Sequence, residues 1–466
     1  MKGFSALHDT VPTQALDHPS SPVASQLVAF LQALLQAQSP EQADPPTARR
    51  RGHRAQVALE QLWLALLLAV LRGLTCWRDV WQLLVWEGVG SFPPVSVTPS
   101  AVRQRLLKAG TASLEQLLER VNTALRQRGA ATCALTLAPF ASQVVALDET
   151  PLDALHRWCP DLRGLPAGCA PLLVGKLAGL FDLRTQQWVR LQFREDVLAN
   201  CKVGVLLLLE TIAPGSLILA DLGYFSFPWF DYLTSQGYWW LSRLRERTSY
   251  RIQHIYSQQG ETLDALIWLG AYRADRAAHL VRLVQVRQGN HLCRSLTNVT
   301  DPALLSLLDI ARLYARRWDI ELAFKLLKRQ LGLHLWWAAT PVLVLQQLLA
   351  ALILAQLLHA LHLEIAAQAQ VDPFEVSLPI LVKLLAHPPA TTQPLVPLLV
   401  ERGRLLGLLR PSSRLRVEAP VIPLEQLHPP PADLPTVRRA RYAQRKCRPR
   451  TSQLPSTPRF FTQLLI

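Results

Sequence analysis

Hydrophobic positions along this chain change period twice. Up to about residue 140 they recur three and four apart, as on one face of a helix; from 144 to about 300 they form short runs or alternate; beyond 303 the helical spacing returns. In the first stretch, residues 23–38 are Leu- and Ala-rich and end at Ser39-Pro40, and 55–71 and 77–86 read as helices parted near Gly73. Thr98-Pro99-Ser100 opens another helix, with Pro in the first turn where its missing N–H costs nothing, and 112–129 supply one more. The middle stretch begins with Val144-Val145-Ala146-Leu147-Asp148, a run with the look of a fully buried strand that delivers a carboxylate at its end. Residues 172–181 and 188–193 read as a hairpin, 196–212 as a helix stopped by Pro214-Gly215, and 217–221 as a second buried strand ending in an acid. A helix over 227–235, a strand over 238–244 and short alternating runs within 246–300 come next, among them 278–288.

The third stretch opens with an unbroken run free of Gly and Pro, 303–331, which predicts one long helix between Asp301-Pro302 and Gly332. At about 100° per residue, and with Tyr314 as zero, Arg317 falls at roughly 300°, Glu321 at roughly 340° and Lys328 at roughly 320°. A phenol, a guanidinium, a carboxylate and an ammonium therefore share one narrow stripe. Leu313, Ile320, Phe324, Leu327 and Leu331 form a separate apolar stripe beside it. An ordinary amphipathic helix with Arg317 and Glu321 as an i,i+4 ion pair would look the same, and such a pair contributes only a few tenths of a kcal/mol.

Charge narrows the choice of partner. Forty-nine Lys and Arg stand against thirty-four Asp and Glu, a formal net charge of +15, and such an excess favours a polyanion such as nucleic acid. Within the helix opened by Thr98, the residues Ser100, Arg103, Gln104, Arg105 and Lys108 take outward positions while Val102, Leu106 and Leu107 face inward. A helix, a break and this basic helix resemble a helix-turn-helix reader of the major groove, with Arg103 and Arg105 as DNA contacts; a solvated basic face is the alternative. The tail carries Arg438, Arg439, Arg441, Arg445, Lys446, Arg448 and Arg450, a cluster expected to stay flexible and touch phosphates, or simply to solubilise the chain. The seven Cys include no C-x2-C pair and fit a reducing compartment. His156, Cys159 and Cys169, on one short loop, make a thin case for zinc. With no apolar segment behind Lys2, and with 341–363 interrupted by Gln346, Gln347, Gln356, His359 and His362, the expectation is a cytoplasmic protein that does not enter a membrane.

The spacing Y-x2-R-x3-E-x6-K over Tyr314, Arg317, Glu321 and Lys328, with Trp318 directly after the Arg, resembles the signature of insertion-sequence transposases of the IS-four family. The resemblance covers roughly residues 95–365. It implies a mixed α/β fold with a ribonuclease-H-like catalytic core at 141–365 and a β-rich insertion at about 246–300; the residues themselves read as a preceding all-α DNA-binding domain at 1–140 and a Pro-rich basic region at 366–466. The resemblance implies that Glu321 is the third metal-binding carboxylate beside Asp148 and Asp221, and that Tyr314, Arg317, Trp318 and Lys328 hold DNA near the cut. Two Mg²⁺ ions, or Mn²⁺, suit such an all-oxygen donor set. The implied partners are double-stranded DNA (the element's terminal inverted repeats and the target) and a second copy in a synaptic homodimer, at the nucleoid of a bacterium. Glu149, Asp153 and Asp182 are rival acids; Asp148 is preferred because it ends the most strand-like run, as the family's first Asp does. The block 217–224 resembles the family's second-Asp motif, usually Ala-Asp-Arg-Gly-Phe/Tyr, with Leu222 where that Arg stands. Some relatives stack a flipped base on a Trp of the insertion; here Trp268 is the candidate, and a buried strand position explains it as well. An active transposase, a DDE nuclease that cuts without joining, and a catalytically silent DNA-binding protein all remain compatible with these residues.

Overall fold

A computed structural model describes residues 57–132, 137–152, 176–194, 204–272, 274–288, 290–338, 340–387, 393–415, 417 and 419–442. The readings at 23–38, His156, Cys159 and Cys169, Asp153, the first part of 196–212 and Arg445 to Arg450 lie outside them. The chain divides into two compact units, each assembled from separated stretches: 1–133, 152–167 and 323–411 in the first, 134–151, 168–322 and 412–466 in the second.

The described part of the first unit is helical. Helices Leu59–Leu71, Trp77–Gln82, Pro99–Ala109 and Ala112–Thr132 lie near the predicted spans, and the second runs on as a π-helical turn, Leu83–Glu87. Thr98 caps the third helix, its hydroxyl accepting from the Ala101 N–H at 3.2 Å, which satisfies one of the orphan donors of the first turn. Eleven residues, 88–98, part that helix from the π turn, so the break expected in a helix-turn-helix pair is a long one. Arg103, Gln104 and Lys108 are exposed, Arg105 is half-buried, and Val102 and Leu106 are buried.

Helix Pro341–Ala369 is the unit's core, packed on Ala112–Thr132 and Leu59–Leu71. It is long and apolar enough to cross a membrane, yet most of its most apolar stretch is covered by the fold. The glutamines that interrupt it act as pins. Gln346 donates to the carbonyls of Leu106 and Gly110 at 2.8 and 2.7 Å, Gln347 to those of Gly332 and Leu335, and Gln356 to the Asn122 side chain at 2.7 Å. Buried amides are tolerated here because each finds a partner that an apolar residue would leave unsatisfied. Two further helices, Leu378–Ala386 and Leu395–Glu401, come after it in the region read as a Pro-rich tail.

The second unit is built on one mixed sheet of nine strands: β1 Val144–Pro151, β2 Lys176–Asp182, β3 Gln187–Arg194, β4 Leu217–Ala220, β5 Trp239–Arg243, β6 Tyr250–Gln259, β7 Thr262–Leu269, β8 Val281–Gln288 and β9 His291–Thr297, so the fold is mixed α/β. Their order is β3-β2-β1-β4-β5-β9-β8-β7-β6. β1, β4 and β5 run parallel; β2 and β3 form the predicted antiparallel hairpin. The alternating runs of 246–300 continue the same sheet, since β9 pairs with β5. Two parallel crossovers demand connections long enough to return over the sheet, and helices Val205–Leu209 and α1, Phe227–Ser235, lie in those connections. Ser226 caps α1 through the Trp229 N–H. One face of the sheet is filled from α1 and its neighbours: Phe230 stacks on Trp240 with ring centroids 4.2 Å apart.

The tail departs from its expected flexibility. Leu427 and Leu434 pack against Tyr256, Leu266, Trp268 and Leu280, and Val437 and Arg441 form β-bridges with His279 and Arg276. Arg438 donates to the Ala277 carbonyl at 2.8 Å and lies 4.6 Å over the Trp268 ring. Up to Tyr442, then, this basic stretch is a strap bound to β6, β7 and the segment that leads into β8: backbone pairing supplies the stability that its composition does not. Trp268 is a buried strand residue, the simpler of its two readings.

Candidate active site

The site is assembled where parallel pairing between β1 and β4 ends. The last paired residues are Leu147 and Ala220, so Asp148 and Asp221 are the next in register on adjacent strands, which run about 4.8 Å apart. Residues 144–147 and 217–220 are buried to 5 % exposure or less, so both strands are anchored in apolar surroundings up to the residue before each acid. The strand bearing Asp148 does not stop there, as its sequence suggested. β1 continues to Pro151 because β2 goes on pairing with it, Asp148 standing opposite Gly179. A β-carbon at Gly179 would come within 2.7 Å of Leu191 and 2.8 Å of Trp188, so only glycine fits between Asp148's strand and that packing.

Asp148 accepts its neighbour's N–H, from Glu149, at 2.8 Å. Asp221 accepts from the Gly223 N–H at 2.7 Å and caps the short 3-10 turn Leu222–Tyr224. Leu222, at the position where the resembled motif carries an Arg, is exposed, and its carbonyl accepts from Arg245 at 2.8 Å.

The predicted long helix is three segments. α2, Leu307–Arg316, starts at an N-cap Ser306 rather than at Asp301-Pro302. At Arg317 the N–H bonds three residues back, to Tyr314, and a new segment begins, α3, Trp318–Lys325. Leu326–Gln330 is a π-helical turn, closed by the Leu331 N–H on the Leu326 carbonyl and succeeded by Gly332 at φ +74°. A tight 3-10 step and a wide π turn shift the angular register of the residues after them in opposite senses. The apolar stripe survives: Leu313, Ile320, Phe324, Leu327 and Leu331 are all buried.

Tyr314, Arg317 and Glu321 do meet the two aspartates. The buried Arg317 guanidinium donates to Glu321 Oε1 at 2.8 Å and stands 3.9 Å from Asp148 Oδ2, so one side chain spans two carboxylates from different elements. It lies over the rings of Tyr314 and Trp318, at 5.8 and 5.2 Å, and Trp318 is 44 % exposed. Its Nε is buried with no hydrogen-bond partner among the described residues. The helix is registered by Asp319, which is buried and accepts from Gln186 at 2.7 Å on the β2–β3 turn. Lys328 lies on the π turn, in a segment of the other unit, where its carbonyl accepts from the His334 ring. Arg103 and Arg105 belong to the helical unit as well; within the sheet unit the structure brings together Asp148, Asp221, Tyr314, Arg317, Trp318 and Glu321.

Electrostatics show the crowding. Burial pushes the Asp148 carboxyl up to about 7 against the Glu149 N–H bond, and the charges of Asp221 and Glu321 push the same way while Arg317 opposes them. Tyr314 is raised by burial although Arg317 and Arg243 pull it down. For Arg317, burial works against the charge, but Tyr314, Glu321 and Asp148 outweigh it and the guanidinium is held above its usual value.

The rival acids are otherwise engaged. Glu149 pairs with Lys176 at 2.8 Å and Arg194 at 3.4 Å, and Asp182 accepts the Arg184 and Thr185 N–H groups of its turn at 2.8 Å each. Sequence reading missed Arg243. It ends the third parallel strand, two residues beyond the Leu219–Leu241 pair, at the same edge as Asp221, and its guanidinium lies 4.9 Å over the Tyr314 ring. The available signal was that 239–243, like 144–148 and 217–221, is an apolar run closed by a charge. The all-oxygen donor set suits a hard divalent ion, and its mutual repulsion calls for positive charge. As arranged, Arg317 stands among those acids, and among the described residues no group of three or more His, Cys, Asp or Glu is disposed to hold a metal.

Comparison with curated proteins returns no match. Among solved structures, a cryo-EM structure of piggyBac transposase, in a synaptic complex with hairpin DNA, is similar at a TM-score of 0.37 and 10 % identity, covering 87 % of this chain and 82 % of that one. Residues 142–357 match the family model described as a transposase DDE domain, a span that contains Asp148, Asp221 and Glu321 and supports a transposase.

Proposed function

We propose that the protein is the DNA transposase of a bacterial insertion sequence of the IS-four type, with a ribonuclease-H-like core and an Asp148–Asp221–Glu321 triad. One observation carries this reading: a single guanidinium, Arg317, spans Asp148 and Glu321 at the sheet edge where Asp148 and Asp221 leave the parallel register together. The order of β1 to β5, three parallel strands flanked by an antiparallel hairpin, supports the ribonuclease-H-like reading.

Asp148, Asp221 and Glu321 would hold divalent ions, Mg²⁺ or Mn²⁺, which activate water and stabilise the leaving oxygen of a phosphodiester. The chain's own groups do the rest. Arg317, with Nε unsatisfied and rings on either side in sequence, presents a fork to a phosphate, and Tyr314 and Trp318 offer flat surfaces to the strand. The raised pKa of Asp148 means that, without added positive charge, this carboxylate holds a proton near neutrality. The same site would hydrolyse a strand at the element end and then direct the freed 3′-OH at target DNA. Lys328, Arg103 and Arg105 are proposed as further DNA contacts, and two copies would synapse the two ends, at the bacterial nucleoid in the cytoplasm.

The test uses the DNA flanking the gene, where short inverted repeats bracketed by a direct duplication are expected. Wild-type protein with Mg²⁺ should nick labelled end DNA and join a pre-cut 3′-OH end to a plasmid, and Glu321→Ala should bind the end and do neither. Cutting without joining would mark a nuclease, and binding alone by wild type a silent DNA-binding protein.

A further inference from the structure

Beside the acid cluster lies a cavity of about 370 Å³ that the triad does not use. Its walls include Arg243 from the end of β5, Tyr314 and Trp318 from the site helix, Cys293 and Ser295 from β9, and Arg414 from the Ser413–Leu415 turn that precedes the strap. Arg414 arrives there because the Ser413–Leu415 turn packs against α2. Two guanidiniums and two rings thus face one open space, and Tyr314 also borders the acids through Arg317. No carboxylate is among the cavity's lining residues, so its field favours an anion. Flat rings interleaved with Arg are the chemistry of an unpaired nucleic-acid strand: phosphates meet the guanidiniums, and sugars or bases lie on the aromatic faces.

We propose that this cavity receives a phosphodiester of an unpaired DNA strand leading away from the acid cluster, held between Arg243 and Arg414, so that the C-terminal strap is part of the substrate site. The inference rests on the DNA-substrate reading above and extends it to residues outside the triad and its helix. The strap's attachment explains how a residue so late in the chain is positioned: Leu427 and Leu434 in an apolar cluster, Val437 and Arg441 in β-bridges, and the Tyr442 hydroxyl on Asp231 of α1 hold it downstream of Arg414.

The test measures binding of a labelled oligothymidylate by full-length protein across a salt series, independently of cutting. Each lost phosphate contact on a single strand makes the slope of log affinity against log salt shallower by about 0.7, which is about a threefold difference across a fourfold range of salt. Arg414→Ala is expected to lose that increment and Arg414→Lys to retain it, with unchanged melting temperatures. Arg404→Ala, which removes an exposed charge from the helical unit, should match wild type. Arg243→Ala should lose a similar increment, and because it borders Tyr314 its melting curve is read alongside. In a cleavage assay, Arg414→Ala should raise KM more than it lowers kcat. Wild-type slope and affinity in Arg414→Ala would overturn the inference while leaving the triad reading standing; failure of wild type to bind the oligonucleotide or cut any DNA would overturn both.

Discussion

Two of the acid–arginine pairings in the sheet unit are built on opposite terms. On β7 and β8, Asp264 and Arg282 are almost wholly buried and matched one to one: Nε and Nη2 donate to the two carboxylate oxygens at 2.7 and 2.6 Å, and Nη1 donates to the Leu305 carbonyl at 2.6 Å. At the edge of β1 and β4, Asp148 and Glu321 share one guanidinium, with Asp221 close enough to Asp148 to repel its charge; Arg317 makes one short bond and one 3.9 Å approach and leaves its Nε unpaired among the described residues. The first arrangement gives each nitrogen of the guanidinium a partner, so it is a structural device. The second has excess negative charge and spare donor capacity, which is what a site needs if cations and a phosphate are to complete it.

The comparison can be broken by exchanging the outcomes. The largest effect is expected from Glu321→Ala, which should lower Mg²⁺-dependent cutting on the order of 10³-fold or more, as loss of one member of a catalytic group does, with end binding retained in a gel-shift assay. Asp264→Ala should do the reverse. By stranding Arg282 it should cost about 3–5 kcal/mol in denaturant unfolding, while the protein that remains folded cuts at a near-normal rate. If Asp264→Ala proves neutral, the contrast between the two arginines fails.

Asp148→Asn should stabilise the protein. Folding raises this carboxyl from near 4 to about 7, so the folded state holds the proton more tightly, and stability falls as pH rises from about 4 to about 7. Asn removes that penalty, so above pH 7 the variant should be more stable by about 2–4 kcal/mol and near wild type below pH 4, read from melting temperatures across pH. Mg²⁺ or Mn²⁺ should raise the wild-type melting temperature and leave that of Asp148→Asn unchanged. The smallest effect belongs to Gln186→Ala. It removes the 2.7 Å bond to Asp319 that registers the site helix and should cost about 1–3 kcal/mol, with a smaller loss of cutting than any triad variant.

Much of this was readable along the chain because the physics is local. A strand buried on both faces must be apolar throughout, so 144–148 and 217–221 announce both the strand and the acid that closes it. A glycine at positive φ ends a helical run, as Gly332 does, and hydroxyl caps at Thr98 and Ser226 mark where helices start. Tyr314, Arg317 and Glu321 fall near one another through helical spacing alone, and the match survives the 3-10 step at Arg317 because they are only seven residues apart.

Other features depend on contacts between residues distant along the chain, and no local pattern encodes those. The parallel register that sets Asp221 beside Asp148 joins segments some seventy residues apart, and the strand's continuation past Asp148 depends on β2. The 3-10 step at Arg317 and the π turn at 326–330 are choices of hydrogen-bond partner to which composition is blind. The strap reads as a flexible basic tail because its stability comes from edge pairing and from the cluster it completes around Trp268, both supplied by β6, β7 and the segment that leads into β8. Arg243 and Arg414 became candidates only once a sheet edge and a returning tail brought them to one cavity.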